Sequence, residues 1–442
     1  MTPTSDTAGK PVPFSSNGPL RPDLKASTLV IGGGIAGTTV ALELQKAGYS
    51  VTLVDQGDIG RACSLGNAGW VTPCFAMPLP QPGMFLKSIG WLFNPTSPLH
   101  IQPRIDPTLF RWLTHFLLAM NHKKMLSSIE VLTALSKYSL DFYRSLADGA
   151  PGLDFQKKGL LMVSATQDGV QGAIREMEFM AEQGIPGKAL SRQELLAFEP
   201  TLKPKVQGGV FFPEEAQIDP LRATLAIAEE FKRLGGKILE HHEVFDFELN
   251  EGSERRIRAV FTTQGKIEAD LVVLASGSWS LALTKKLRSS IPVLGGKGYS
   301  MSFQGVTQKP ERSIMLVDRK IAITPFSDRL RVAGTLELVN QDFSISPARL
   351  EAVRAGAHEY INFGGGELTS PREIWRGLRP CTPDGVPVVG FSTQWKNLFY
   401  CTGHQMLGLQ SAPGTARLAS ELIEGKTPIV DPKPFRAGRF GA

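Results

Sequence analysis

Cysteine is scarce in this chain: four residues in 442, at Cys63, Cys74, Cys381 and Cys401. No pair stands as Cys-x-x-Cys, and none shares a metal-ligand spacing with the seven histidines. A disulfide-stapled secreted scaffold and a structural zinc site are thereby excluded, and free thiols in a reducing compartment are expected. Missing too is any uninterrupted apolar run of the ~20 residues that would cross a bilayer. Basic clusters are absent, for the net charge is +6 but lysine and arginine are scattered along the chain. Such an excess steers anionic ligands and does not make a nucleic-acid surface. Internal repeats are absent as well. Residues 1–26 hold much Pro, Ser, Thr and Gly and no apolar core segment, so a disordered leader is expected there, neither signal peptide nor membrane anchor. Together these absences point to a cytoplasmic protein. The 42% hydrophobic and 20% charged fractions are those of an ordinary globular chain, long enough for two or three domains.

What is present begins at Thr28. A β-branched run, Thr28 to Ile31, enters a Gly32-x-Gly34-x-x-Gly37 turn. A helical stretch containing Val40, Leu42 and Leu44 follows, and then Tyr49-Ser-Val-Thr-Leu-Val-Asp55. This strand, glycine turn, helix, strand and acid form the unit that grips a dinucleotide. Gly32 allows the tight turn, Gly34 lets the backbone approach a pyrophosphate, and Gly37 lets helix and strand pack closely. The helix N-terminus faces the phosphates, and Asp55 stands where a ribose hydroxyl would donate to it.

Beyond Asp55, the Gly/Pro-punctuated segment 57–107 holds little regular structure, and loops of that length are usually functional. Helical patterns follow at 108–120 and 130–146, a strand at 158–164 and a helix at 169–183. Gly208–Phe212 reads as a strand, and Asp219-Pro220 as the N-cap and first position of a helix over 221–234. Strands run through 237–249 and 256–263. A buried strand near 270 then leads into the small-residue turn Ser276-Gly277-Ser-Trp279. Short strands fill 290–340, a helix spans 346–363, strands return at 386–389 and 398–401, and a helix over 413–424 closes the pattern. With nucleotide-like pieces at 28–55, 270–277 and near 403, one nucleotide domain is assembled from separated segments. That suits the long body of FAD better than NAD, whose domain usually forms one continuous run. The expected architecture is α/β: a Rossmann-like FAD-binding domain from 27–81, 206–285 and 373–442, with a sheet-based substrate domain from 82–205 and 286–372.

Three further stretches carry a family likeness. They are Cys63-Ser-Leu-Gly-Asn-Ala-Gly-Trp-Val-Thr-Pro73, then Gly296-Lys-Gly-Tyr-Ser300 answered by Arg331-Val-Ala-Gly-Thr-Leu-Glu337, and Gly377-Leu-Arg-Pro-Cys-Thr-Pro-Asp-Gly385 with Thr402-Gly-His-Gln-Met-Leu-Gly408. From Thr28 to Lys426 the chain resembles the D-amino-acid oxidase superfamily of FAD-dependent oxidoreductases, in its bacterial D-amino-acid dehydrogenase branch. The resemblance implies oxidative deamination of a D-amino acid to a 2-oxo acid and ammonia. Hydride would pass from Cα to flavin N5, and electrons onward to a quinone or dye. It implies FAD contacts at Gly32, Gly34, Ile35, Ala36, Gly37, Asp55, Gln56 and Arg61, and in the next loop at Ser64, Asn67, Ala68 and Gly69. Further contacts fall at Val244, at Ala275, Ser276, Gly277 and Trp279, and at Gly403, His404, Leu407 and Gly408. Gly377 holds the place of the cysteine that links flavin covalently in related sarcosine oxidases, so the FAD is expected to be non-covalent.

Individual residues leave alternatives open. Arg379 offers a planar fork for a substrate carboxylate, or an ion pair with an acid such as Asp384. Tyr299 is either a second contact to that carboxylate or a half-buried strand tyrosine. His404 reads as a catalytic base or, better, as a flavin-edge residue on a loop whose N–H groups stabilise negative charge on the reduced ring. Cys63 reads as a small buried residue sooner than a redox thiol. The apolar stretch Met84 to Phe93, with Phe110, Leu113, Leu117 and Met120, fits a peripheral membrane face or an ordinary core or dimer face. Two other activities also fit: a glycine-, sarcosine- or D-proline-type amine oxidase, and a non-catalytic flavin subunit that relays electrons.

Overall fold

The structure is a computed structural model that describes residues 25–80, 99–101, 105–250, 252, 255–289, 291–364, 368 and 370–440. The 84–93 stretch and residues 1–24 of the expected leader lie outside the described residues. Residues 25 and 26 already belong to the first strand, Lys25–Ile31.

Around that strand a six-stranded sheet is built. Tyr49–Val54 pairs with it in parallel on one side and Leu271–Leu274 on the other. Lys237–Leu239 extends one edge and Leu398–Thr402 the other, where Val388–Phe391 adds an antiparallel strand. Leu29, Val30 and Ile31 are all buried, as a central parallel strand covered on both faces requires. The helix Ile35–Lys46 packs between the helices Pro220–Arg233 and Gly408–Ile423. Asp219 caps the former with its carboxylate, accepting from the N–H groups of Leu221 and Arg222. The sheet thus draws its strands from widely separated parts of the chain.

The second, nine-stranded sheet runs from Glu373–Cys381 through Leu294–Phe303, Leu330–Val339, Ile321–Pro325, Ser313–Leu316, Leu160–Ser164 and Gly208–Phe212 to Lys188–Ser191. Leu99–Ile101 also pairs with Leu330–Val339. Two strands stand on the other side of the expected boundaries at 206 and 373. Gly208–Phe212 pairs with Leu160–Ser164, so closely that a Cβ on Gly209 would lie 2.2 Å from the Met162 carbonyl. Glu373–Cys381 pairs along the whole of Leu294–Phe303. Both therefore belong to the large sheet.

The closing helix also differs from expectation, starting at Gly408 with Pro413 inside it. Proline lacks the N–H that would reach the carbonyl four residues back, on Leu409. The buried Tyr143 hydroxyl donates to that carbonyl at 2.9 Å, which removes the penalty that proline would otherwise impose. The helix Pro107–Ala119 buries Leu109, Trp112 and Phe116 and leaves Phe110, Leu117 and Leu118 exposed. Leu113 and Met120, expected on the same face as Phe110, instead pack against buried residues. Among the described residues no helix is long and apolar enough to cross a membrane.

Candidate active site

The glycine turn is as tight as its spacing demands. Gly32 has φ +111°, and a Cβ there would lie 2.6 Å from the Ala275 carbonyl. One on Gly37 would come within 1.8 Å of the Gly32 carbonyl. Gly34 caps the Ile35–Lys46 helix without a side chain, leaving the positive helix end open to an anion. Asp55 closes the turn, accepting from the Gly33 N–H at 2.6 Å and the Gly57 N–H at 2.9 Å. Burial raises its pKa above the usual carboxylate value. Each oxygen retains a lone pair for a ribose hydroxyl.

The next loop is fastened at several points. The Ser64 hydroxyl accepts from the Ile35 N–H at 2.9 Å. The Asn67 side-chain oxygen accepts from the Gly69 N–H at 2.9 Å, and its amide donates to the Met406 carbonyl at 3.1 Å. Beneath the loop lies Arg331, 1% exposed, whose Nη1 donates to the carbonyls of Leu65 (2.8 Å) and Asn67 (2.7 Å). Burial lowers its pKa to about 10, so it remains a cation at neutral pH.

These pieces wall one cavity of about 1030 Å³ that reaches from the glycine turn to the large sheet. Gly32, Gly34, Ile35, Ala36, Asp55 and Gln56 line it, as do Ser64, Asn67 and Ala68. Val244, Ala275, Ser276, Gly277, Trp279, His404, Leu407 and Gly408 complete the expected residues on its wall. Gly37, Arg61, Gly69 and Gly403 are not on the wall. Gly37 supports it from behind, through its approach to Gly32. Gly69 (φ +87°) and Gly403 (φ +81°) serve as turns, with Phe326 and Thr382 where their side chains would stand. Arg61 is exposed on the surface. Elsewhere the cavity meets an apolar wall of Met162, Ala173, Met315 and Val317, with Glu176 and Lys320 beside it. Burial raises the Glu176 pKa.

Arg379 opens on the same cavity. Its Nη1 donates to the Thr335 carbonyl at 2.6 Å, and among the described residues no carboxylate pairs with it. Asp384, the alternative partner, is held by Arg439 at 2.6 and 3.1 Å. Burial pulls the Arg379 pKa below the usual arginine value. Tyr299 requires a correction, because it does not reach the cavity. Successive residues of a strand face opposite ways, and Gly298 holds the face toward Arg379. Tyr299 is fully buried behind the sheet, its hydroxyl accepting from the Ser346 N–H at 3.3 Å.

His404 is buried with its Nε2 2.9 Å from the Thr415 hydroxyl. Desolvation pulls its pKa from 6.5 down to about 4, so at neutral pH the ring is uncharged and a weak base. An unfolded chain takes up this proton first as pH falls, so stability is full above pH 6.5 and declines toward pH 4. The difference is worth about 3 kcal/mol. Denaturation of a His404→Gln variant followed from pH 7 to 4 should show a flatter decline by that amount. All four cysteines are free. Burial lifts the thiol of Cys63 to about 11 and that of Cys381 to about 12, which leaves neither a nucleophile.

A family model described as FAD dependent oxidoreductase matches residues 27–422. The chain belongs to that family. Its similarity to the D-amino acid dehydrogenase of Rhizobium rhizogenes is 32% identity over 419 residues, covering 93% of this chain and 99% of that protein. With the D-amino acid dehydrogenase of Vibrio atlanticus it shares 34% identity over 406 residues, covering 90% and 95% of the two chains. The fold resembles glycine oxidase from Geobacillus kaustophilus, with a TM-score of 0.75 at 23% identity, covering 94% of this chain and 99% of that one. L-proline dehydrogenase from P. horikoshii has a TM-score of 0.70 at 21% identity, covering 95% and 98%.

As an FAD dependent oxidoreductase the protein needs room for a long dinucleotide, and a cavity of about 1030 Å³ beside a helix start with no side-chain cap fits one. Sequence reasoning missed Arg331 as the clamp of the 64–69 loop, although it stands in a quoted motif. It also missed Trp375, which donates to the Ala62 carbonyl at 3.2 Å and lies where side chains on Gly66 and Gly377 would stand. The paired glycines on either side of that tryptophan were the available signal.

Proposed function

We propose that the protein oxidises D-amino acids to 2-oxo acids and ammonia, with its FAD held non-covalently. The observation that carries this reading is Arg379: a half-buried cation with no acidic partner among the described residues, open to the cavity that the glycine turn also lines. A substrate carboxylate would complete the ion pair and fix one end of the amino acid. The apolar wall at Met162 and Met315 suits a substrate side chain. FAD, when bound, supplies the ring that accepts hydride. His404, uncharged and weakly basic, leaves the substrate amine to arrive neutral. The relatives named D-amino acid dehydrogenase support the D enantiomer and an acceptor other than oxygen, a quinone or dye. The exposed Phe110, Leu117 and Leu118 support contact with a membrane surface where a quinone is dissolved. A Cβ on Gly377 would lie 2.0 Å from the Trp375 ring, which supports non-covalent FAD because no cysteine fits there.

Anaerobic mixing with D- and L-amino acids tests the reading. Flavin colour should be lost rapidly with D substrates and slowly with L. With the carboxylate held on Arg379 and the side chain on the apolar wall at Met162 and Met315, the Cα–H of only one enantiomer points toward the ring. Dye reduction should exceed oxygen uptake, and acid precipitation should release all the FAD. Equal rates with L-amino acids would move the protein to another branch. Colour that persists with every amine would point to an electron-relay subunit.

A further inference from the structure

Granting the proposed role of Arg379, its direction still has to be set. A flexible arginine with no acidic partner among the described residues has many rotamers, and ordering one costs side-chain entropy. Two features on neighbouring strands restrict it. The first is Gly298, on the Leu294–Phe303 strand. A Cβ there would lie 2.1 Å from Nη1 and 2.3 Å from Cζ of Arg379, so the guanidinium occupies space that any other residue would fill. The second is a slip in pairing on the Leu330–Val339 strand. Lys297 stands opposite Glu337 but Tyr299 opposite Gly334, which leaves Thr335 in a bulge. Thr335 has φ +64°, rare for a β-branched residue. Its hydroxyl is buried without a hydrogen-bond partner among the described residues. Its carbonyl accepts from Arg379 Nη1.

We propose that Gly298 and the Thr335 bulge form a cradle that aims the Arg379 fork into the cavity. Gly298 withholds the side chain that would displace the guanidinium. The bulge turns a carbonyl onto one nitrogen and leaves the remaining N–H groups to a carboxylate. Both are positioning residues that act on the substrate through Arg379. Strain kept at one residue beside a binding group fits such a role.

Calorimetric titration of the holoenzyme with benzoate, a carboxylate lacking a Cα–H, tests the cradle alongside steady-state kinetics. Gly298→Ala should raise the benzoate Kd and substrate KM at least tenfold, with FAD content and melting temperature unchanged. In an Arg379→Met background the same alanine should add less than twofold, because the group it displaces is gone. An equal loss in both backgrounds, or none in either, overturns the cradle. Thr335→Gly keeps the carbonyl but lets the bulge backbone move, so it should raise the benzoate Kd severalfold in the parent and less than twofold in the Arg379→Met background; no change in the parent removes the bulge from the cradle. If Arg379→Met alone leaves the benzoate Kd unchanged, the carboxylate reading of Arg379 fails, and the cradle with it. That result is distinct from failure of Gly298 with Arg379 intact.

Discussion

An Arg379→Met variant is expected to lose about two orders of magnitude in kcat/KM toward a D-amino acid while retaining its FAD. A charge-assisted, bidentate contact to a carboxylate is worth ~3 kcal/mol. Methionine matches the aliphatic stem and omits the fork. Stability should move the other way, because the guanidinium is partly desolvated and makes one hydrogen bond in return, donated to the Thr335 carbonyl. Removing a half-buried charge so poorly compensated should leave the melting temperature unchanged or raise it. Kinetics, FAD absorbance and thermal melts on one preparation check all three. Near-normal kcat/KM would remove Arg379 from the site, and a large fall in melting temperature would recast it as a structural residue.

Arg331 should behave in the opposite manner. Its replacement by methionine strands the carbonyls of Leu65 and Asn67 beneath the loop that touches the cavity. Unsatisfied buried carbonyls cost ~1–3 kcal/mol each, so a loss of about 3 kcal/mol is expected. Most of it should appear as weakened FAD retention, because the loop carries Ser64 and Asn67 on the cavity wall. Denaturant unfolding, with FAD released during dialysis measured in parallel, checks this. Tight FAD and unchanged stability in the variant would mean that the loop holds its shape without the clamp.

Local features were the legible ones. The turn from Gly32 to Gly37 and the acid at Asp55 lie within one short unit, where spacing alone dictates geometry. Arg379 and its proline-rich surroundings were recognisable from the family likeness. Tyr299 was misplaced because the face of a strand residue depends on its neighbours, and Gly298 holds the cavity face there. Arg331 stayed hidden as the loop clamp because the loop groups it holds are backbone carbonyls more than 260 residues away, which no side-chain pattern records. The start of the last helix was missed because the Tyr143 hydroxyl, far off in sequence, takes over the carbonyl that Pro413 leaves free. For Arg331 and Pro413 a long-range contact overrode a local rule.

The interleaved nucleotide sheet has a consequence for synthesis. Its central strand is made first, at Lys25–Ile31, yet its neighbour Leu271–Leu274 comes far later and the next strand ends only at Thr402. A growing chain therefore carries the apolar central strand half-paired until residue 274 is made, and the Leu271–Leu274 strand half-paired until residue 402. Such late, non-local closure is slow and leaves edges open to other chains. Cofactor loading thus has to await the Leu398–Thr402 strand, and the half-built sheet is the stage most in need of a chaperone.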